Sequence, residues 1–161
     1  IAKSGYRITV PSLIEAPLDA FEPVGEQVFD FEAYRLCLDA RMMLSRSGPG
    51  SLERAEVIAR EAAERAPLFA LAQAEHAIKL VQKHVYDTKI TPGLLEALEK
   101  SETAVRLRPD LAIAHAAHGY ALGALGRSNH AKRALGQAMT CDHADADVHF
   151  MAARTLFSLQ Y

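Results

Sequence analysis

Along most of this chain, apolar and small residues return every three or four positions, the period of a helix with one buried face. From Phe31 onward the pattern predicts helices over 31–47, 51–66, 67–84, 93–107, 111–126, 130–141 and 144–161. The punctuation between them agrees. Gly48-Pro49-Gly50 breaks the first two, and Pro67 opens the third. Thr91-Pro92 supplies a cap and a first-turn proline for the fourth. Asp110 is placed to cap the fifth, Gly126 to end it, and Ser128 or Asn129 to cap the sixth. The first residues read differently. Ile8-Thr9-Val10 is a β-branched run stopped by Pro11, a scrap of strand ahead of an all-helical chain.

Small residues also recur at long range. Ala97 and Ala131, Ala104 and Ala138, Gly119 and Ala153, and Leu122 and Leu156 each stand 34 apart. Upstream, Ala55 and Ala97, Ala62 and Ala104, Pro67 and Pro109, and Ala77 and Gly119 each stand 42 apart. The chain is therefore expected to be a repeat of helix pairs with period 34, one unit being lengthened by 8 around VYDTKITP. Each pair has one apolar face that it cannot bury alone, so the pairs must stack, with small residues where helices cross closely. The last helix has no pair.

Composition narrows the function. The chain has 161 residues, half of them apolar, and a net charge of −2, which suits a folded domain and offers no basic field for nucleic acid. No apolar run approaches the ~20 residues of a membrane span. Cys37 and Cys141 form neither a disulfide framework nor a zinc spacing, which points to reduced thiols in the cytoplasm. No nucleophile elbow, phosphate loop or H-E-x-x-H stretch occurs, so no catalytic residue, cofactor or enzymatic activity is expected. Among the seven histidines, His115 and His118 share a helix face, with His143, Asp145, Asp147 and His149 nearby in sequence. A metal site there is the sharper reading. Packed imidazoles are the preferred one, because His76 and His118 occupy the same repeat position, taken to face the partner helix.

The period, the paired helices and the small residues Gly119, Gly126, Ala131 and Ala138 resemble the tetratricopeptide repeat, over about residues 33–161 and roughly three and a half repeats. Three positions depart from that motif: His118 for leucine, Leu135 for an aromatic residue and His143 for proline. The resemblance implies an all-α array of helical hairpins whose first helices line a concave groove for a protein or peptide partner. By register that groove takes Leu71, Ile78, Ile113, Tyr120, Phe150, Arg154 and Phe157, an apolar set for a water-facing surface. Two covers are available. One is the tail of residues 12–30, with Leu13, Ile14, Leu18, Phe21 and Val28 as anchors. The other is a second copy of the chain, meeting Phe150, Leu156 and Phe157 at an end where Met151 and Leu156 lack a successor.

The first pair is more particular. AYRLCLDARMML, GPGSLERA and APLFALAQAEHA are similar to the stretches that open the helical domains of certain bacterial regulators, through Ala33, Tyr34, Leu36, Leu38, Arg41, Leu44, Pro49, Leu52, Glu53 and Ala55. Those regulators are OmpR-type, HilA-like winged-helix proteins. Some class III adenylate cyclases carry a similar helical tail. Ser4-Gly5-Tyr6-Arg7-Ile8 is similar to the last wing strand of such a winged helix. The resemblance implies a residual wing strand over 1–10, a linker over 11–30 and the repeat domain over 31–161. It further implies transcriptional regulation, with DNA contacted only through an upstream domain, and a possible homodimer. The linker holds three prolines and five acids and cannot cross a bilayer, so no membrane is expected and both halves would share the cytoplasm. The alternatives are the cyclase tail and a free-standing adaptor.

Overall fold

The amphipathic segments fold as seven helices in the computed structural model, which describes residues 29–45, 48–84, 89–141 and 144–159. They are α1 (Phe31–Ser45), α2 (Ser51–Arg65), α3 (Ala70–His84), α4 (Pro92–Leu107), α5 (Ala112–Ala124), α6 (Ser128–Thr140) and α7 (Ala146–Ser158). No strand occurs among the described residues. The expected wing strand over 1–10 and nearly all of the linker lie outside them. The last two linker residues belong to the array. Phe29 packs its ring on Tyr34 and Phe69. Asp30 accepts a hydrogen bond from the Ala33 amide at 2.9 Å and pairs with Arg65, which together hold its carboxyl below the usual range.

The helices pair as the period demands. α1 packs with α2, α3 with α4, and α5 with α6, and α7 closes the stack against α5 and α6. The first helices α1, α3, α5 and α7 touch in succession, whereas α2, α4 and α6 touch only first helices and not one another. One layer is thus tightly stacked and the other splayed, which curves the array with the first helices on the inner side.

The recurring small residues stand at the crossings. Ala55, Ala97 and Ala131 are wholly buried, and so are Ala62, Ala104 and Ala138. At Gly119 the crossing is close: a Cβ there would lie 2.6 Å from Leu135 Cγ. This is why Leu135 stands where the motif has an aromatic ring, since a larger side chain would need more room than Gly119 leaves. Ala153, the counterpart of Gly119 in α7, is exposed, and among the described residues no second helix packs on it. Met151, expected at an open end, is instead buried against the core, and Leu156 is half-buried.

Several predicted helix ends shift. Thr91 caps α4 as expected, its Oγ1 accepting from the Leu94 amide at 3.3 Å. Asp110 does not cap α5: its carboxylate is taken by Arg108 at 2.9 Å, and Leu111 stands at the cap with no side-chain bond. Neither Ser128 nor Asn129 caps α6, because Arg127 occupies that position and Ser128 is already helical. Pro67 lies in a turn and α3 begins at Ala70. Gly126 does end α5: at φ +73°, a left-handed conformation, it lets Arg127 N donate to Leu122 O at 2.9 Å and its own N to Gly123 O at 3.0 Å. Gly50 takes the same conformation ahead of α2.

Candidate functional site: the concave face

The inner layer presents a cleft of about 220 Å³ between α1, α3, α5 and α7. Its floor is apolar, from Ile78 and Ile113, which are buried in the core. Its walls are charged. Arg41 of α1 donates to Glu75 of α3 at 2.5 Å and reaches Asp147 of α7 at 3.5 Å. Glu75 also receives Lys79 at 3.3 Å, one helical turn on. Glu75 and Lys79 are 1% and 3% exposed, so their polar partners are each other and Arg41 rather than water. Burial works against the charge on Arg41, but Glu75 outweighs it and the guanidinium is held more firmly protonated than usual.

At the far end, Arg154 of α7 lies over the ring of Tyr120, 4.7 Å from its centroid, and hydrogen-bonds the Tyr120 hydroxyl. Among the described residues no carboxylate lies within ion-pair distance of Arg154. Phe150 flanks it with 68% of its surface exposed. A wider hollow of about 590 Å³ adjoins the cleft and runs from Tyr34 and Cys37 to Thr140, Cys141 and Asp145. Arg41 and Ile113 line both spaces, so the concave face is continuous from α1 to α7. Cys37 is no nucleophile in this setting: burial, reinforced by the negative charge of Glu75, pushes its thiol up to about 12.

Of the seven residues assigned to the groove by register, Ile78, Ile113, Phe150 and Arg154 line one cleft. Leu71 lines the wider hollow, half-buried. Tyr120 sits beneath Arg154, 4% exposed. Phe157 is 63% exposed and lines neither space. The expectation of a broad apolar surface in water is therefore corrected. Close stacking of first helices buries Ile78, Ile113 and Tyr120, and leaves Phe150, Arg154 and Phe157 exposed. The ions Arg41, Glu75, Lys79 and Asp147 were not singled out by register. A signal for them exists, since Arg41 and Glu75 are opposite charges one period of 34 apart.

The histidines go to separate partners. His115 Nε2 meets the Pro109 carbonyl at 2.7 Å, and His149 Nδ1 meets the Asp145 carbonyl at 2.8 Å. His118 Nδ1 meets Ser101 Oγ at 3.3 Å. His76 lies 3.5 Å from Glu56 with neither ring nitrogen hydrogen-bonded, and burial lowers its pKa, so it sits as a neutral ring. His76 and His118 thus contact the second helix of the preceding pair, α2 and α4, and also lie within electrostatic reach of the second helix of their own pair, through Glu96 of α4 and His130 of α6. Among the described residues no group of three or more His, Cys, Asp or Glu is placed to hold a metal ion. Among them also, no helix is long and apolar enough to cross a membrane.

This architecture is that of a tetratricopeptide-repeat array. The TPR2B domain of yeast Sti1, solved as a complex with pHsp70, superposes with a TM-score of 0.59 over 81% of this chain and 98% of that one, at 16% identity. The TPR2AB domain of yeast Sti1, solved with pHSP90, gives 0.58 over 84% of this chain and 49% of that one, at 17% identity. No family profile and no curated sequence matches the chain.

Proposed function

We propose that the array is a protein-interaction domain that takes a segment of a partner protein along its concave face. The observation that carries this reading is the pairing of Phe150 and Arg154. An exposed aromatic ring and a cation with no carboxylate beside it stand together at a cleft whose other charges are already matched. An exposed ring next to a guanidinium is the composition of an interface anchor. That two domains of the same fold were solved with pHsp70 and pHSP90 supports a protein ligand here too. Catalysis is no part of the reading, and the suppressed Cys37 thiol agrees with that.

The test is selection of peptides from a displayed library, followed by titration calorimetry. Selected peptides should lose tenfold or more in affinity on Phe150→Ala or Arg154→Glu and none on Lys132→Glu, which changes an exposed residue of α6. Failure to enrich any sequence, or equal binding to all three variants, would refute the proposal.

In a finer form, the domain serves a bacterial winged-helix regulator in the cytoplasm, where partner binding or dimerisation biases DNA contact by another domain. The similarity of residues 33–55 to such regulators supports it. In the structure Tyr34 and Arg41 of that stretch line the concave face. The coding sequence ahead of Ile1 decides the context: a winged-helix signature supports it, and a cyclase domain refutes it.

A further inference from the structure

The chain reaches the folded array at the edge of the concave face. Phe29 packs against Tyr34 with 5.8 Å between ring centroids and edge-on against Phe69 with 5.9 Å. Tyr34 lines the wider hollow, which continues through Arg41 and Ile113 into the cleft. Residues 11–28, outside the described region, are therefore tethered at the entrance to the groove. Their chemistry matches what the groove leaves open. They carry four acids, Glu15, Asp19, Glu22 and Glu26, with no lysine or arginine, and apolar residues stand between the acids. At the cleft, Arg154 has no carboxylate beside it among the described residues, and Phe150 is 68% exposed.

The length agrees. Arg41 lies about 15 Å along α1 from Phe31, at ~1.5 Å per residue. An extended chain covers that span in about five residues, at ~3.3 Å each. Were the segment to run back along α1 from Phe29, an extended chain would reach the level of Arg41 near Val24, and a few residues more would bring Phe21 and Asp19 across the cleft. Positions 19 and 21 share one face of an extended chain. Pro17 and Pro23 bracket them and disfavour a helix there.

We infer that residues 11–28 are an intrachain occupant of the concave cleft, with Asp19 on Arg154 and Phe21 against Phe150, which an incoming partner must displace. The inference rests on the proposed role of the cleft as a binding groove and adds its regulation.

The experiment compares the full chain with its Asp19→Lys/Phe21→Ser variant, which leaves every residue of α1–α7 unchanged. Amide exchange is followed by mass spectrometry on peptides from α1 and α7. Exchange of the α7 peptides should quicken several-fold in the variant. The charge swap Asp19→Arg with Arg154→Asp should restore protection. Equal exchange in wild type and variant would overturn the inference. So would protection that rises with protein concentration, because a second copy would then be the cover. A library-selected peptide separates this inference from the reading beneath it. If the segment is seated nine-tenths of the time, the peptide should bind the variant about tenfold more tightly than wild type. Equal affinity for both sinks the segment and leaves the groove. Protection that depends on Asp19 and Phe21 with no peptide ever binding keeps the segment and sinks the partner.

Discussion

Gly119 and Gly136 lie on the two helices of the third pair, and an added methyl group meets opposite surroundings at the two. At Gly119 a Cβ would stand 2.6 Å from Leu135 Cγ, 2.7 Å from Leu135 Cδ2 and 3.3 Å from the Ala131 carbonyl oxygen. At Gly136 it would meet nothing within 4 Å. Both are helical, so alanine brings an intrinsic gain of about 1 kcal/mol at either site, fully expressed at Gly136. At Gly119 the methyl must spread α5 from α6 or drive Leu135 from its seat. Leu135 is 1% exposed, so it would have to shift within the core. Overpacking of this kind costs about 1–3 kcal/mol. Gly119→Ala should therefore lie between neutral and about 2 kcal/mol destabilised, and Gly136→Ala about 1 kcal/mol stabilised. At roughly 2–4 °C per kcal/mol for a chain of this size, the two melting temperatures should move apart by several degrees. Gly119→Leu should fall further. Thermal melts and urea titrations followed by helical circular dichroism measure both. Adding Leu135→Ala to Gly119→Ala should recover at least about 0.5 kcal/mol relative to additivity. Equal shifts in the same direction for the two alanine variants would refute the close crossing.

Other consequences follow from the buried polar groups. Glu75→Gln should destabilise by about 3–5 kcal/mol, because it leaves Lys79 and Arg41 without their shared carboxylate; a loss under 1 kcal/mol in chemical denaturation would contradict the cluster. Native Cys141, half-exposed, should alkylate at pH 8 well before Cys37, whose thiol stands near 12; equal rates by mass spectrometry would count against the burial of Cys37. His76 has a pKa lowered chiefly by burial, and His118 is lowered likewise. The unfolded chain therefore takes up protons first, and stability should decline as pH drops below about 6.5, the ordinary histidine value. His76→Leu should flatten that decline, as read from urea midpoints between pH 7 and pH 5, and an unchanged slope would show that the ring titrates freely.

The repeat was legible because helix crossings constrain side-chain size. Ala55, Ala97 and Ala131 stand at equivalent, wholly buried crossings, where a small side chain lets the helices approach. Caps were less legible because they depend on local competition. Asp110 has the right chemistry for a cap, but Arg108, two residues away, takes its carboxylate. Groove exposure was harder still. Ile78 and Tyr120 lie on the inner side as register requires, but how far stacking buries them depends on the curvature of the whole array. The ionic cluster was readable in principle. Glu75 and Lys79 are an i,i+4 pair, and Arg41 precedes Glu75 by one period. On one helix that pattern looks like a solvated face, and only the neighbouring first helices turn it into a buried one.

The contact from Arg41 to Asp147 joins residues 106 apart in the chain. In a stack of hairpins, small rotations add from one unit to the next, and the whole behaves as a coil spring. A tie between its first and last turns makes a clasp of that spring. The clasp is soft: the ions are 3.5 Å apart and Asp147 is 68% exposed, the kind of pair that contributes about 0–1 kcal/mol. Electrostatic reach shortens from about 8 Å at physiological ionic strength to about 3 Å at 1 M. The pitch of the coil, and with it the width offered to anything threading between its turns, is expected to loosen with added salt while the turns themselves stay folded.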